Sequence, residues 1–416
     1  MKALQYIKSV PRYVFVRTIG HLSPKFVTGP LSSLRMANIN PPELPTSEWL
    51  RIRPLLSGIC GSDLTTIQAK GSPYFSPLIS APFVMGHEVV GEIIELGPNS
   101  NSKDLSIGDR VVIEPGLCCI VRGINPPCSS CQEGNFSLCE MIMHGDLAPG
   151  IQTGYCRDTG GGWSSSVVAH PFQVHKIPVQ LSDEEAVLVE PFSCCLHAAL
   201  QSFPKDNEKI LIIGCGAIGL LTIAALRALG ARCQILATAR YPHQQTMAAN
   251  LGADLVVKAD KDLYDNVRKI TGAEIYWPEI GRPVFIGGTQ RTFDCVGSSQ
   301  TIDDALRLTG SGGDVTIVGM PGIPKNIDWT AIWYKELKVK GSYAYGSEIY
   351  EGDVISTFDL AIKLLNSGII NLKPLVTDVF ALKDYRKALE LAMTAGQNGS
   401  VKVVFDFRLP KKQDIK

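Results

Sequence analysis

Between Ile210 and Leu226 the chain reads ILIIGCGAIGLLTIAAL, an apolar stretch interrupted by Gly214, Gly216 and Gly219. Its length approaches that of a short membrane span. Glycines at those positions instead predict a buried strand that turns into a buried helix, running to Leu229 and closed by Gly230. FDCVGS (293–298) and VTIVGMPG (315–322) predict two more apolar strands. YKELKVKGSYAYG predicts the last parallel strand, leaving its sheet, and SVKVVFDF near the C-terminus alternates as a half-buried strand does. TFDLAIKLLNSG has the spacing of a helix closed by Gly368. Strands and helices thus alternate, and 416 residues exceed one ordinary core, so the pattern predicts an α/β protein of two domains.

Composition narrows the classes of function. The chain is 45% hydrophobic and 19% charged, as soluble proteins are. Forty basic residues balance forty acidic ones, which argues against a nucleic-acid or anionic-membrane partner. MKALQYIKSVPRYVF lacks the charged-then-apolar pattern of an export signal, so the expected compartment is the reducing cytoplasm. Disulfides are then unexpected, and the twelve cysteines point to metal, catalysis or packing.

Five of those cysteines fall in LCCIVRGINPPCSSCQEGNFSLC (117–139). Cys128-x2-Cys131-x7-Cys139 sits among Pro126, Pro127, Gly134 and Asn135, which mark turns rather than helix. Short spacings in such a loop let thiolates converge on one tetrahedral zinc, with Cys118 or Cys119 as the fourth ligand. A redox pair would need a helix N-terminus to lower its thiol pKa, and no helix pattern follows the prolines. A second constellation comes from GICGSDL (58–64), GHEVVGEI (86–93) and VLVEPFSCCLHAAL. Cys60, His87 and Glu190 together would make a three-ligand zinc with an open position, while Cys194, Cys195 and His197 leave the third ligand unsettled by spacing alone.

GCGAIG, Gly214 to Gly219 with Ala217 and Ile218, is a G-x-G-x-x-G placed after a strand and before a helix. Gly214 permits the tight turn, Gly216 lets the backbone approach a pyrophosphate, and Gly219 lets helix and strand pack closely. The helix N-terminus then faces the diphosphate. The next strand ends Ala237-Thr238-Ala239-Arg240, where an acid for the ribose 2′-hydroxyl of NAD is expected. Ala239 and the following Arg240 favour the 2′-phosphate of NADP(H) over NAD(H). Thr238, Tyr241 and His243 are candidates for that pocket, and the strand end at Val318 and Gly319 is expected to border the cofactor crevice.

GICGSD, GHEVVGEI, GDRVVIEP, the cysteine loop, VEP, GCGAIGLL, FDCVG and VGMP stand in the order found in the zinc-dependent medium-chain alcohol dehydrogenases. The chain resembles that family, and within it the sorbitol and threonine dehydrogenase-like branch, over most of its length. The resemblance implies a GroES-like β-rich catalytic domain over residues 1–180, a Rossmann doubly wound parallel-sheet domain over 181–344, and a return to the catalytic domain over 345–416. It implies Cys60, His87 and Glu190 as ligands of a catalytic zinc, with Glu88 the acid beside the metal, itself a ligand in some relatives. It implies Ser62 as the hydroxyl that hydrogen-bonds the substrate oxygen and Asp63 as the acid that orients His87. Cys119, Cys128, Cys131 and Cys139 look like the structural zinc lobe.

Two departures stand out. The family's C-x2-C at the start of the lobe is broken, because Asn125 takes the first position and the nearest upstream thiol, Cys119, lies beyond IVRGINPP; Cys118 competes with it. Thr65 stands where many relatives have a histidine that ends a proton relay, so proton release is expected to use Thr65, Thr66, a ribose hydroxyl and water. YWPEIGRPVFIGGTQ (276–290) reads as an insertion, near the cofactor or at an oligomer contact, and HLSPKFVTGPLSSLRM as an N-terminal addition that wraps the catalytic domain.

The implied reaction moves a hydride between an alcohol, or its carbonyl, and the nicotinamide, with zinc as Lewis acid and Ser62 accepting the hydroxyl proton. A polyol or other hydroxylated small molecule is the expected substrate class, and a homo-oligomer, dimer or tetramer, the expected assembly. A zinc-free quinone or enoyl reductase of the same superfamily would not need Cys60, His87 and Glu190 together. A non-enzymatic nucleotide-binding relative would bind cofactor without hydride transfer, and a zinc-lobe interaction protein would have no use for the glycine fingerprint.

Overall fold

Alternating apolar positions make Leu50–Gly58 a strand with one buried face, and its neighbours extend that face. The strands follow the order Val376–Phe380, Lys402–Asp406, Leu50–Gly58, Val89–Leu96, Arg110–Ile113 and Val174–Lys176, with Val167–Ala169 also pairing Leu50–Gly58. Pairing is antiparallel except between Val376–Phe380 and Lys402–Asp406. Leu50, Ile52, Val89, Ile93, Val111, Ile113 and Val167 close one core. This computed structural model describes residues 1–100 and 104–408, and its contacts divide the chain into Met1–Glu190 with Tyr345–Lys416, and Pro191–Ala344.

One expectation for the first unit needs correction. The alternation of SVKVVFDF predicts one solvent face, yet Lys402, Val403, Val404, Phe405 and Asp406 are all buried. The strand lies inside the sheet rather than at its edge, and its two charged residues are compensated locally, Lys402 by Glu88 and Asp406 by Arg408. The N-terminal addition is part of this unit. Lys2–Tyr6 pairs antiparallel with Leu34–Asn38, and the helices Val10–Ile19 and Pro24–Thr28 between them contribute Val16 and Val27 to a core with Tyr6, Phe83, Trp163 and Phe405.

The second unit holds a parallel sheet in the order Leu255–Lys258, Gln234–Ala239, Lys209–Ile213, Thr289–Asp294, Thr309–Ile317 and Lys338–Gly341. The strand order reverses beside Lys209–Ile213, the kind of switch point at which such sheets bind nucleotides. Ile210–Leu226 is therefore a strand, a glycine turn and the helix Ala217–Ala228, and among the described residues no helix is long and apolar enough to cross a membrane. Most of the 276–290 insertion is a short antiparallel hairpin, Glu274–Tyr276 with Val284–Ile286. Arg282 ties it to Asp303 and Asp304.

His175 fastens the returning segment to the first unit. Its Nε2 lies 3.1 Å from Glu114 and its Nδ1 2.8 Å from Asp359, with the ring stacked on Phe358. Burial alone would lower its pKa, but the hydrogen bonds and charges of Asp359 and Glu114 raise it to about 9. A pKa raised on folding stabilises the protein below the unfolded value, and that stability is lost as pH rises through the folded value. This contribution, up to about 3 kcal/mol, is expected to be fully present below pH ~6.5 and to fall away through about pH 9. Denaturant unfolding across that range should show the decline, and His175→Gln should remove it.

Candidate metal centre and nucleotide site

The strand Leu50–Gly58 delivers the chain to Cys60, which begins the short helix Gly61–Ile67. Asp63, in the first turn of that helix and fully buried, accepts the backbone N–H of Cys60 at 3.0 Å through Oδ2. Its other oxygen points at His87 Nδ1, 3.4 Å away, a long contact that leaves both buried atoms without a closer partner. Nε2 is then the imidazole atom left for a ligand, and a metal bound there fixes the remaining proton on Nδ1, aimed at Asp63. Burial works against a charged His87, but Asp63 pulls its pKa well above the ordinary value.

Ligand atoms of Cys60, His87 and Glu88 lie within 4.8 Å of one another. Glu190, the second residue of the helix Val189–Gln201, is 8% exposed. Burial pushes its carboxyl up to about 7, with the charges of Glu88 and Asp63 adding to the rise and His87 and Lys402 opposing it. A thiolate, an imidazole and a carboxylate suit zinc. Donor atoms of these types, drawn from separate stretches of chain with His87 and Glu88 buried, are what a cation at this position would account for. Of the other candidates on that helix, Cys195 donates to the Ile218 carbonyl and His197 shares a hydrogen bond with Gln201.

Hydroxyl groups line the same short helix. Ser62 is half-buried in its first turn. Thr65 donates to the Gly61 carbonyl at 2.8 Å, so a relay through Thr65 must first break a bond within the helix. Thr66 shares a 3.1 Å hydrogen bond with the hydroxyl of Tyr155, whose ring stands 6.1 Å from that of His87. Nothing in the sequence around Tyr155 singled it out.

A second group of donors within 4.8 Å of one another comprises Cys119, Cys128, Cys131 and Cys139. Cys118 is outside that group, although it shares with Cys119, Cys131 and Cys139 a core that includes Trp49, Leu117 and Leu147. The segment is not all turn, as expected from its prolines: Cys128 is the N-cap of a one-turn helix, Ser129–Gln132. Four residues between Pro127 and Gly134 are too few to leave a helical period in the sequence. Burial raises Cys139 to about 12, whereas backbone N–H groups of Glu140 and Cys131 overcome burial at Cys128 and lower it to about 7. Without a cation these thiols do not ionise together, and a divalent metal supplies what four thiolates need.

The insert IVRGINPP carries the group that organises this lobe. Arg122 is completely buried, and its guanidinium donates to the carbonyls of Leu117 at 2.9 Å, His144 at 3.0 Å, Leu147 at 3.0 Å and Gly150 at 2.7 Å. With Arg122 anchored in this way, and Ile124 donating to the Cys119 carbonyl at 2.9 Å, the two thiols meet across the extra residues.

At the nucleotide site, Gly214 has φ +90°, and a Cβ there would overlap Val296. Gly216 caps the helix on which Ala217, Ile218 and Gly219 form the first turn. Thr238 accepts the Gly214 N–H at 3.0 Å, joining the ends of two adjacent strands. Ala239 is buried, Arg240 is exposed, and His243 stacks on Tyr241. Val318 and Gly319 both donate their N–H groups to the Asp294 carbonyl, at 2.9 and 2.8 Å.

The chain is similar to known proteins over most of its length. Residues 46–179 match the alcohol dehydrogenase GroES-like domain, and residues 217–360 match the zinc-binding dehydrogenase family. An L-idonate 5-dehydrogenase of Vitis vinifera is 31% identical over 86% of this chain and 87% of its own. A sorbitol dehydrogenase of Bacillus subtilis is 29% identical over 86% and 90%. Among solved structures, 2R,3R-butanediol dehydrogenase from Bacillus subtilis superposes with a TM-score of 0.71 at 26% identity, covering 99% of both chains.

Arg122→Met should cost roughly 3 kcal/mol or more, because it strands several buried carbonyls at once. Thermal unfolding measures that loss, and the variant should also release metal from the lobe to a chelator faster than the parent.

Proposed function

The chain belongs to the zinc-dependent medium-chain alcohol dehydrogenase family, and on that premise we propose that it oxidises a polyhydroxylated small molecule, or reduces its carbonyl, with a nicotinamide dinucleotide. The observation that carries the reading is the convergence of Cys60, His87 and Glu88 donors, with buried Asp63 behind the imidazole. Cys60, His87 and Glu190 would hold the catalytic zinc, and Cys119, Cys128, Cys131 and Cys139 a structural one. Bound zinc supplies Lewis acidity and the dinucleotide supplies the hydride acceptor.

The chain's own groups orient and move the proton. Asp63 holds His87 in one orientation and caps the helix that carries Ser62. Ser62 accepts the substrate hydroxyl proton. Thr66 and Tyr155 offer hydroxyls for its onward passage, in place of the histidine missing at Thr65. Support for a polyol or sugar acid comes from the idonate, sorbitol and butanediol relatives and from the carboxylate third ligand. The missing acid at Ala239 and the exposed Arg240 support NADP(H) over NAD(H).

We also propose a homo-oligomer working in a reducing cytoplasm. None of the twelve cysteines is joined in a disulfide. The parallel sheet ends in the exposed strand Lys338–Gly341, shortly after exposed Trp333 and Tyr334 in the chain, and a second copy would cover this edge and the aromatic rings.

Cys60→Ala should lower kcat/KM at least about a thousandfold while the circular dichroism spectrum is kept. Cys131→Ser should lower the melting temperature first. Full turnover in Cys60→Ala, followed by nicotinamide absorbance over a polyol panel, would refute the catalytic metal. Separately, Arg240→Glu should shift the NADP-to-NAD ratio of kcat/KM by about tenfold or more towards NAD, the worth of one charge-assisted contact. An unchanged ratio would reject the role given to Arg240.

A further inference from the structure

Forty basic residues balance forty acidic ones over the whole chain, but the charges are not evenly spread. The first 42 residues hold six lysines and arginines and no acid, and residues 64–87 add Lys70 and no acid. The fold brings these two stretches together. Arg17 donates to the Ala69 carbonyl at 2.7 Å and Lys8 to the Ser76 carbonyl at 3.3 Å, so the helix Val10–Ile19 runs alongside residues 69–76. On its other flank Phe15 meets Phe26 of the helix Pro24–Thr28 edge-on, with ring centroids 6.2 Å apart. Glu390 does reach this segment, but it accepts from Thr28, which is buried.

What faces outward between those flanks is apolar. Val10 and Val14 stand one helical turn apart, on the side away from buried Val16. Thr18, next in the same row, turns its hydroxyl back to the Val14 carbonyl at 2.8 Å. Tyr74 and Phe75, edge-on to each other with centroids 5.7 Å apart, are exposed in the neighbouring stretch. Val10 is 74% exposed and Tyr74 77%, so both side chains project from the surface instead of lining a groove. Lys8, Arg17, Lys25 and Lys70, all exposed, flank these apolar residues in the chain.

The combination selects its partner. A second copy does not suit it, because an isologous contact would set cations against cations. A nucleic acid would answer the charge and leave the aliphatic side chains in water. An anionic lipid surface answers both. Its headgroups attract the lysines and arginines, and projecting valine and aromatic side chains enter the boundary of the acyl layer without a shaped partner. We infer that this face is a peripheral docking surface for anionic membranes, with the helix Val10–Ile19 lying along the interface. The even charge of the whole chain, which argues against such a partner, hides it because the compensating acids lie elsewhere.

The test is cosedimentation of the full-length protein with vesicles of phosphatidylcholine alone and of phosphatidylcholine mixed with phosphatidylglycerol. Binding is expected to the mixed vesicles only, and should fall as added salt screens the charges. Lys25→Gln and Lys70→Gln should each weaken it about fivefold, the worth of one cation near an anionic surface. Val10→Ser/Val14→Ser should weaken it about tenfold or more. Both valines are exposed, so that variant should keep the parent's circular dichroism and nicotinamide turnover. Binding to neither vesicle, or equal binding to both, would overturn the inference. So would full binding by the valine variant, which would leave a general polyanion site. Sedimentation velocity showing that the valine variant breaks up an oligomer would give the face to a second copy instead.

Discussion

A fully buried carboxylate must find donors or cations inside the protein, and Asp63 finds both. Through one oxygen it caps the helix that starts at Cys60; through the other it faces the imidazole of His87. The two residues are 27 positions apart in the chain; the pairing of Leu50–Gly58 with Val89–Leu96 brings them together, and this one side chain links them. Everything else at the centre is arranged around that fixed pair. Glu88 follows His87 directly and is anchored by Lys402, while Glu190 arrives on a helix of its own. The result is a dense group of acids and a thiol gathered around His87 and Lys402, an arrangement suited to a divalent cation.

The cysteine lobe meets a similar constraint by other means. Its thiols converge only because the loop around them is rigid, and the rigidity comes from Arg122. A guanidinium has five donors in one plane, enough to satisfy several carbonyls of a loop that forms no regular structure. An insert that lengthens the spacing of the thiols thus brings its own brace. The nucleotide half uses backbone geometry in place of charge. Gly214 takes a conformation closed to other residues, and Thr238 ties it to the neighbouring strand, so the turn stands ready at the head of the helix.

Much of this was legible in the chain itself. Apolar runs and glycine spacing determined the parallel-sheet half, because a strand, a tight turn and a helix in succession are local features with local signatures. Cys60, His87 and the cysteines of the lobe were visible as residue types in turn-rich segments. What the sequence did not determine depends on contacts between distant segments. Lys402 sits in a strand of alternating pattern, and only the packing of Glu88 and Gly58 against its side chain decided that it is buried. The choice of Cys119 over Cys118 for the thiol cluster was decided by which of two adjacent sulfurs the folded loop brings close to Cys128, Cys131 and Cys139. Tyr155, Arg122 and His175 carried no signal at all, since each acts through partners that adjacency and periodicity do not reveal. Periodicity reports which face of an element is apolar; which charge lies opposite another is settled only when the elements pack.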